Sequence, residues 1–394
     1  SATYVPCIVL HPKFQTQLIE QARYQHNPID LTDTMSLMRK EASSLSELGF
    51  DVDKGAGLFR QVPSSGHDGE MTPLQPCERL TKVSVIGAGN VGMAIAQTIL
   101  TQGLADEIAL VDAEADRVRG EMLDLQHAAA FLPRVRIVAG TDVLALTRGS
   151  DLAIITVPRE TAAASRMDQL RRNVALLREV VPAVAEGSPE SLLLVVSNPV
   201  DVLAYAAWKL SGFPSSRVIG SGTDLDSARL RCLLAEHLGV GAQDVQAYMV
   251  GEHGDAALAL WSSVRVGGMP VLSYLQKTHS SFDAEALEGI RRAVVGGARE
   301  VIGLKGYTSW AIGYSVASLA RSLLRDQRRV HPVSVLAKGF VPGDAHEVFL
   351  SLPARLGRRG VLGVAAELEL TGDEETTLRR SAETLWGYCQ ALGL

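Results

Sequence analysis

Cysteine is scarce: four residues in 394, at Cys7, Cys77, Cys232 and Cys389. Their wide separation supplies neither a disulfide framework nor metal-ligand spacing, and free thiols suit a reducing, cytoplasmic compartment. No stretch of eighteen apolar residues occurs, which argues against a membrane-spanning helix. Positive charge is not in excess; the net charge is −6 and the basic residues are scattered, so nothing marks a nucleic-acid-binding surface. Internal repeats are absent as well. What remains is a chain of 46% hydrophobic residues, long enough for a large core and, after Leu80, for two closely packed domains.

Strand-like and helix-like segments alternate along most of it. Residues 83–86, 108–111, 135–138, 152–156 and 192–196 are short apolar runs rich in β-branched residues and separated by helical patterns, which predicts a parallel sheet with crossover helices. Longer helices follow after about Ser221, with a strand pair expected around 246–250 and 262–266 and further strands at 330–338 and 347–350. Residues 373–392 carry acids early and apolar residues at helical spacing, the pattern of a C-terminal helix.

Three segments carry chemistry. In Val250-Gly251-Glu252-His253-Gly254-Asp255 a histidine sits between glycines, with room to meet both a carboxylate and a small molecule. In Gly220-Ser221-Gly222-Thr223-Asp224-Leu225-Asp226-Ser227-Ala228-Arg229 a glycine-rich start leads to Asp226 and Arg229 three residues apart, on one face of a helical turn. That pair is either a surface ion pair of little worth, or a carboxylate that orients His253 beside a guanidinium that takes a substrate carboxylate.

The third segment runs from Lys82 through Gly87-Ala88-Gly89-Asn90-Val91-Gly92, an apolar run that turns through G-x-G-x-x-G into an amphipathic stretch. Such glycines allow a tight turn and let a pyrophosphate rest on the helix N-terminus, so Gly87, Gly89, Asn90, Val91 and Gly92 are the expected cofactor contacts. Asp112 ends the next apolar run, twenty residues beyond Gly92, where a carboxylate would bond the adenosine ribose hydroxyls and repel a 2′-phosphate. The expected cofactor is NAD rather than NADP. The expected fold is α/β, a Rossmann-type doubly wound parallel sheet over 80–220 followed by an α+β substrate-binding and catalytic domain over 221–394.

These segments, with Gly120-Glu121-Met122-Leu123-Asp124-Leu125-Gln126-His127, Val196-Ser197-Asn198-Pro199-Val200-Asp201 and Lys305-Gly306-Tyr307-Thr308-Ser309-Trp310-Ala311-Ile312-Gly313, make the chain from about Leu80 to Leu394 resemble the L-lactate and malate dehydrogenases, and within them the plant L-lactate dehydrogenases. The resemblance implies pyruvate and L-lactate as substrates and a homotetramer as the assembly. It implies His253 as proton donor and acceptor, Asp226 as its partner and Arg229 as the clamp on the substrate carboxylate. Arg166 would be the mobile-loop arginine that polarises the reacting carbonyl. Asn198 would bond near nicotinamide and substrate, Thr308 would line the substrate pocket, and Ile312 would pack on the nicotinamide ring. Read from residue type alone, Thr308 and Ile312 are better explained as core positions, and Asn198 could simply make a turn before Pro199, with a cis peptide bond favoured by the resemblance.

The chemistry accounts for these residue types. Reduction of a 2-keto acid needs a hydride at carbon and a proton at oxygen, with the carboxylate held so that the reacting atoms align. A histidine titrates near neutrality, a neighbouring aspartate raises its pKa, and an arginine beside the carbonyl stabilises the charge that develops on oxygen.

Departures from the family pattern cluster before Arg166. The segment Ile155-Thr156-Val157-Pro158-Arg159-Glu160-Thr161-Ala162-Ala163-Ala164-Ser165 is one residue shorter than usual, and Glu160 occupies the place where lactate dehydrogenases carry a glutamine facing the methyl group of the keto acid. An acid within about 6 Å of an anionic substrate would cost roughly 3 kcal/mol at an effective dielectric of about 20. The alternative is that the shortened loop turns Glu160 to solvent. Asp224 stands where asparagine is usual, and Arg299 where tyrosine is common. These changes keep open a dehydrogenase with a shifted 2-keto acid substrate, or a catalytically impaired NAD-binding paralogue that regulates active subunits.

Residues 1–79 differ in kind, with 54–78 rich in Gly, Pro and Ser, and a low-order leader is expected there. Met35 and Met38 precede a stretch that resembles plant enzyme leaders, so residues 1–34 are expected to be an incomplete or misread leader. The acids Glu41, Glu47, Asp51 and Asp53 speak against an organelle transit peptide.

Overall fold

Val83, Val85 and Ile86 are buried together with Ser84, so the strand they form is covered on both faces, the position of a central strand in a parallel sheet. The computed structural model describes residues 59–60, 80–132, 135–157, 165–271, 284–341, 346–365 and 368–394. All belong to the unit Leu58–Leu394. The leader expected over 1–34 lies outside the described residues.

Strands β1 (Phe59–Arg60), β2 (Lys82–Ile86), β3 (Glu107–Val111), β4 (Arg136–Gly140), β5 (Leu152–Ile155), β6 (Leu192–Val195) and β7 (Val218–Gly220) join three later strands in one ten-stranded sheet. From β7 to β4 the order is β7-β6-β5-β2-β3-β4, parallel throughout. Counted from β2, that is the doubly wound order of dinucleotide-binding sheets, with the reversal of winding between β2 and β5. The expected parallel strands are all present, shifted by a residue or two at their ends.

The sheet does not stop at residue 220. Strand β13 (Val330–Leu336) pairs antiparallel with β7 through Ser334 and Gly220, then β14 (Phe349–Gly357) and β15 (Gly360–Ala365) extend the same sheet as a meander. The strand expected at 347–350 is only the beginning of β14, and β15 was not expected at all. The turn between them is Arg358-Arg359, so charge at the turn hides a hairpin whose strands are almost wholly buried. Phe59–Arg60 then pairs with the open edge of β15, so at these two residues the low-order leader gives way to a strand.

The single strand pair expected at 246–250 and 262–266 is two small sheets instead. Strands β8 (Val245–Gln246), β11 (Arg265–Val266) and β12 (Met269–Pro270) form one, and β9 (Met249–Val250) with β10 (Leu258–Ala259) forms the other. Residues Trp261–Ser263 are a 3₁₀ turn between them, because Ser262 gives both its backbone N–H and its hydroxyl to Glu374 at 3.2 and 2.8 Å. Glu374 also closes a capping box with Thr371 at the start of the C-terminal helix Gly372–Ala391, the helix expected there.

Two helices flank the switch point of the sheet. Helix α1 (Asn90–Thr101) follows β2, and the helix Trp310–Leu324 packs along it. A second apolar cluster, with Leu230, Leu234, Met249, Val264 and Val294, lies under the helices Asp224–Leu238 and Ala284–Lys305 and fixes the loop that carries His253. No helix among the described residues is long and apolar enough to cross a membrane.

Candidate active site

The turn after β2 lies at the switch point. Gly87 has φ +105°, and the Thr156 hydroxyl at the end of β5 donates to its carbonyl at 2.8 Å. Helix α1 starts at Asn90 with no side-chain cap and no acid in its first turn, so its first N–H groups are left to an anionic ligand. Asp112, at the end of β3, accepts from Ala88 N–H at 2.7 Å and from Glu114 N–H at 3.1 Å, which fixes its carboxylate beside the turn. The cradle fits a dinucleotide, whose pyrophosphate would rest on the helix end and whose ribose would meet Asp112.

Gly92 shows how tight this cradle is, since a Cβ there would lie 1.9 Å from Gly87 O. Gly92→Ala is therefore expected to weaken NADH binding by about tenfold or more, read by fluorescence titration, and to lower thermal stability by several degrees. Unchanged binding and melting would mean that the turn tolerates a displacement the geometry forbids.

His253 is fixed from three sides. Gly251 exchanges both backbone bonds with Ser351 of β14, at 2.9 and 3.0 Å. His253 N–H donates to Asp201 Oδ2 at 2.8 Å, and its Nδ1 meets Asp226 Oδ2 at 2.6 Å. The Nδ1 contact leaves Nε2 as the ring nitrogen available to a ligand. Asp226 is buried on the helix Asp224–Leu238, and Arg229, one turn on, donates from Nη1 to its other oxygen at 2.8 Å. Burial opposes the imidazolium, but the Asp226 carboxylate, by charge and hydrogen bond, and Asp201 more weakly, outweigh it and hold His253 above the ordinary histidine value. Burial likewise opposes ionisation of Asp226, yet His253 and Arg229 carry it below the usual carboxylate range.

Asp226, Arg229, His253, Gly254, Asp255, Val295, Ala298 and Arg299 line a cleft of about 240 Å³. Its far wall is the helix Ala284–Lys305, and there Arg299 forms an ion pair with Asp255. The arginine at the usual tyrosine position thus does face the site. Asp224 does not line the cleft: His331 Nδ1 at 3.0 Å and Ser315 Oγ at 2.6 Å hold it from the other side of its helix.

The residues singled out from sequence divide into groups. Asp226, Arg229 and His253 come together in the cleft, and Gly87, Gly89, Asn90, Val91, Gly92 and Asp112 come together at the switch point. Asn198 precedes a cis peptide bond to Pro199 and is anchored by Asn173 Nδ2, which donates to its carbonyl at 2.9 Å. Thr308 lies in the connection before the helix Trp310–Leu324, and Ile312 lies in that helix's first turn, packed partly against the main core. None of these last three lines the His253 cleft. Arg166 begins the helix Arg166–Gly187, but its side chain, like the whole segment 158–164 with Glu160, lies outside the described residues.

Sequence reasoning gave no role to Asp201, although the motif Asn198-Pro199-Val200-Asp201 was in view. An acid in the first turn of a helix otherwise apolar in its first half was the available signal.

Comparison with known proteins agrees with this geometry. The family model described as lactate/malate dehydrogenase, NAD binding domain, matches residues 81–220, and that described as lactate/malate dehydrogenase, alpha/beta C-terminal domain, matches residues 223–389. The chain is 70% identical to L-lactate dehydrogenase A of Hordeum vulgare over 90% of its length and 99% of that protein's. It is 66% identical to L-lactate dehydrogenase of Zea mays over 90% of its length and the whole of that protein's, and 46% identical to the L-lactate dehydrogenase C chain of Mus musculus over 82% of its length and 97% of that protein's. The chain belongs to the lactate/malate dehydrogenase family. Within that family it is an NAD-dependent oxidoreductase.

Proposed function

We propose that the chain interconverts pyruvate and L-lactate at the His253 cleft. It is an NAD-dependent L-lactate dehydrogenase, and the observation that carries the reading is the 2.6 Å contact of His253 Nδ1 with buried Asp226 in a cleft that also holds Arg229. The bound nicotinamide supplies the hydride to the keto carbon. His253 gives a proton from Nε2 to the keto oxygen in reduction and takes it back in oxidation. Asp226 fixes the tautomer and balances the imidazolium. Arg229 uses one nitrogen of its fork on Asp226 and presents the rest to the substrate carboxylate.

The family resemblance gives Arg166 the task of stabilising the oxyanion, and would have Asn198 bond near the reacting centre, Thr308 line the pocket and Ile312 lie against the nicotinamide. Residues 80–220 then carry the nucleotide and 221–394 the substrate. A homotetramer would cover large apolar side chains that stand exposed, among them Phe131, Leu304 and Tyr314. A cytoplasmic location accords with the free thiols of Cys232 and Cys389.

Steady-state NADH oxidation across a panel of 2-keto acids tests the assignment. Pyruvate should have the highest kcat/KM, and a clear preference for another acid, or no turnover of any, would overturn it. No observation favours a shifted substrate or an impaired regulatory paralogue.

The loop residue Glu160 makes a separate prediction. If it faces the keto acid, Glu160→Gln should raise kcat/KM for pyruvate by about tenfold or more, on the order of 1.4 kcal/mol, and wild-type activity on oxaloacetate should be weaker still because that acid carries a second carboxylate. No gain on reversion would place Glu160 in solvent or make loop closure the larger defect, and restoring the missing loop residue separates those two cases.

A further inference from the structure

Among the buried ionisable groups near the reacting histidine, Asp201 has no task in the mechanism above. Asp201 lies in the first turn of the helix Val200–Ser211 and is only 1% exposed. One carboxylate oxygen accepts from His253 N–H at 2.8 Å and the other from Ser334 Oγ at 2.7 Å. A single side chain thus ties the catalytic loop to the helix after Asn198 and to β13, the strand that joins the two parts of the sheet. A neutral amide of the same shape would make both contacts, because a serine hydroxyl can accept as well as donate. Burying a carboxylate here has a cost that these two hydrogen bonds alone do not require.

We propose that Asp201 is a positioning residue for the dehydrogenase reaction, whose negative charge, held beneath the His253 loop, supports the protonated imidazole together with Asp226. The inference rests on the lactate dehydrogenase reading for its bearing on turnover, though not for the interaction itself. Burial pushes the Asp201 carboxyl up to about 6, against the Ser334 and His253 N–H bonds, the His253 charge acting the same way as those bonds and Glu252 opposing it. It is therefore ionised for the most part at neutral pH and discharged below about pH 6. Around His253 the charged groups are Asp226, Asp201 and Arg229; around Asp201 they are His253 and Glu252 from the loop, with the Cys389 thiol facing it from the C-terminal helix. That thiol is pushed up to about 12, chiefly by burial and next by the Asp201 charge, so it stays neutral in this range.

Asp201→Asn keeps the shape and removes the charge. In the NADH-bound enzyme, NMR titration of labelled histidine, with His253 assigned through a His253→Gln variant, should show His253 titrating about one pH unit lower in Asp201→Asn than in wild type. The alkaline limb of kcat/KM for pyruvate and the acid limb of kcat/KM for lactate should move to lower pH together, because both report the same proton. A purely structural role would lower turnover and leave the limbs where they are. Asp201→Ala should move the limbs equally and lose more turnover, since it also frees the loop, and part of that turnover should return in Asp201→Asn.

An unchanged His253 titration in folded Asp201→Asn overturns the proposal whatever the activity. Absence of pyruvate turnover in wild type would instead remove the lactate reading and leave the titration to decide the charge effect. Should Asp201→Asn fail to fold, Ser334→Ala decides: it removes a donor that holds the carboxylate ionised, so Asp201 carries less charge where His253 titrates and the alkaline limb of kcat/KM for pyruvate should move to lower pH, and a limb that stays in place counts against the proposal.

Discussion

His253→Asn is expected to lower kcat/KM for pyruvate by on the order of 10³ while the NADH dissociation constant stays within about twofold. The imidazole is the group in the cleft that both titrates near neutrality and is oriented by a buried carboxylate, so its loss removes the proton source without disturbing the glycine turn, which belongs to a different part of the sheet. Asparagine can still donate to Asp226, whose charge remains balanced by Arg229, so the fold should survive. Fluorescence titration with NADH and steady-state assays with pyruvate measure the two quantities separately. Undiminished turnover would exclude His253 as the acid, and joint loss of turnover and NADH binding would point to a misfolded site.

The same pair has a pH signature. Because His253 is held above the ordinary histidine value, pyruvate reduction should fall as pH rises through that raised value, where the proton to be donated is lost. The stability contributed by the imidazolium and carboxylate has the same sign: it is fully present below the unfolded histidine value and is lost as pH rises through the folded one. This pH-dependent part should vanish in His253→Asn.

How much of this was legible in the sequence follows from the range of each interaction. The glycine turn, the acid ending β3 and the order of strand and helix are local patterns, and they appear in the structure with shifts of a residue or two. The triad of His253, Asp226 and Arg229 was legible in part: Asp226 and Arg229 share a helical face and the glycines around His253 mark an unusual loop, but those residues alone left a surface ion pair equally open and the family resemblance decided it. The role of β13 was not. Nothing local in residues 330–336 says that this strand docks on β7 and so turns a sheet of six parallel strands into one of ten. The link from Asp201 to Ser334 spans 133 residues and depends on that docking, as does the link from Asp224 to His331. Glu374 shows the same limit: its capping box with Thr371 is local, whereas its hold on Ser262, which bends the chain and divides the expected strand pair in two, is not.

Discrimination between NADH and NADPH should be as large as the effect of the histidine, with NADH favoured in kcat/KM by on the order of 10² to 10³. Two like charges about 4 Å apart repel by about 4 kcal/mol at an effective dielectric of about 20, before solvent reduces the figure at a partly exposed site. Repulsion of that size is relieved when the side chain can swing away. Asp112 is held against doing so, with one oxygen on Ala88 N–H at 2.7 Å and the other on Glu114 N–H at 3.1 Å. Asp112→Asn keeps an acceptor for one of these amides and removes the charge, so it should narrow the preference by about tenfold or more, through loss of NADH affinity and gain of NADPH affinity together. The cation in view is Arg117, whose Nη2 lies 4.0 Å from the place a Cβ would take on Gly89, on the side of the pyrophosphate turn. If the wild-type enzyme used both cofactors equally well, the Asp112 assignment would fail, and Arg117→Ala would then show whether this guanidinium had neutralised the 2′-phosphate: restored NADH preference would make Arg117 the compensating group, and no change would leave Asp112 without contact to the ribose.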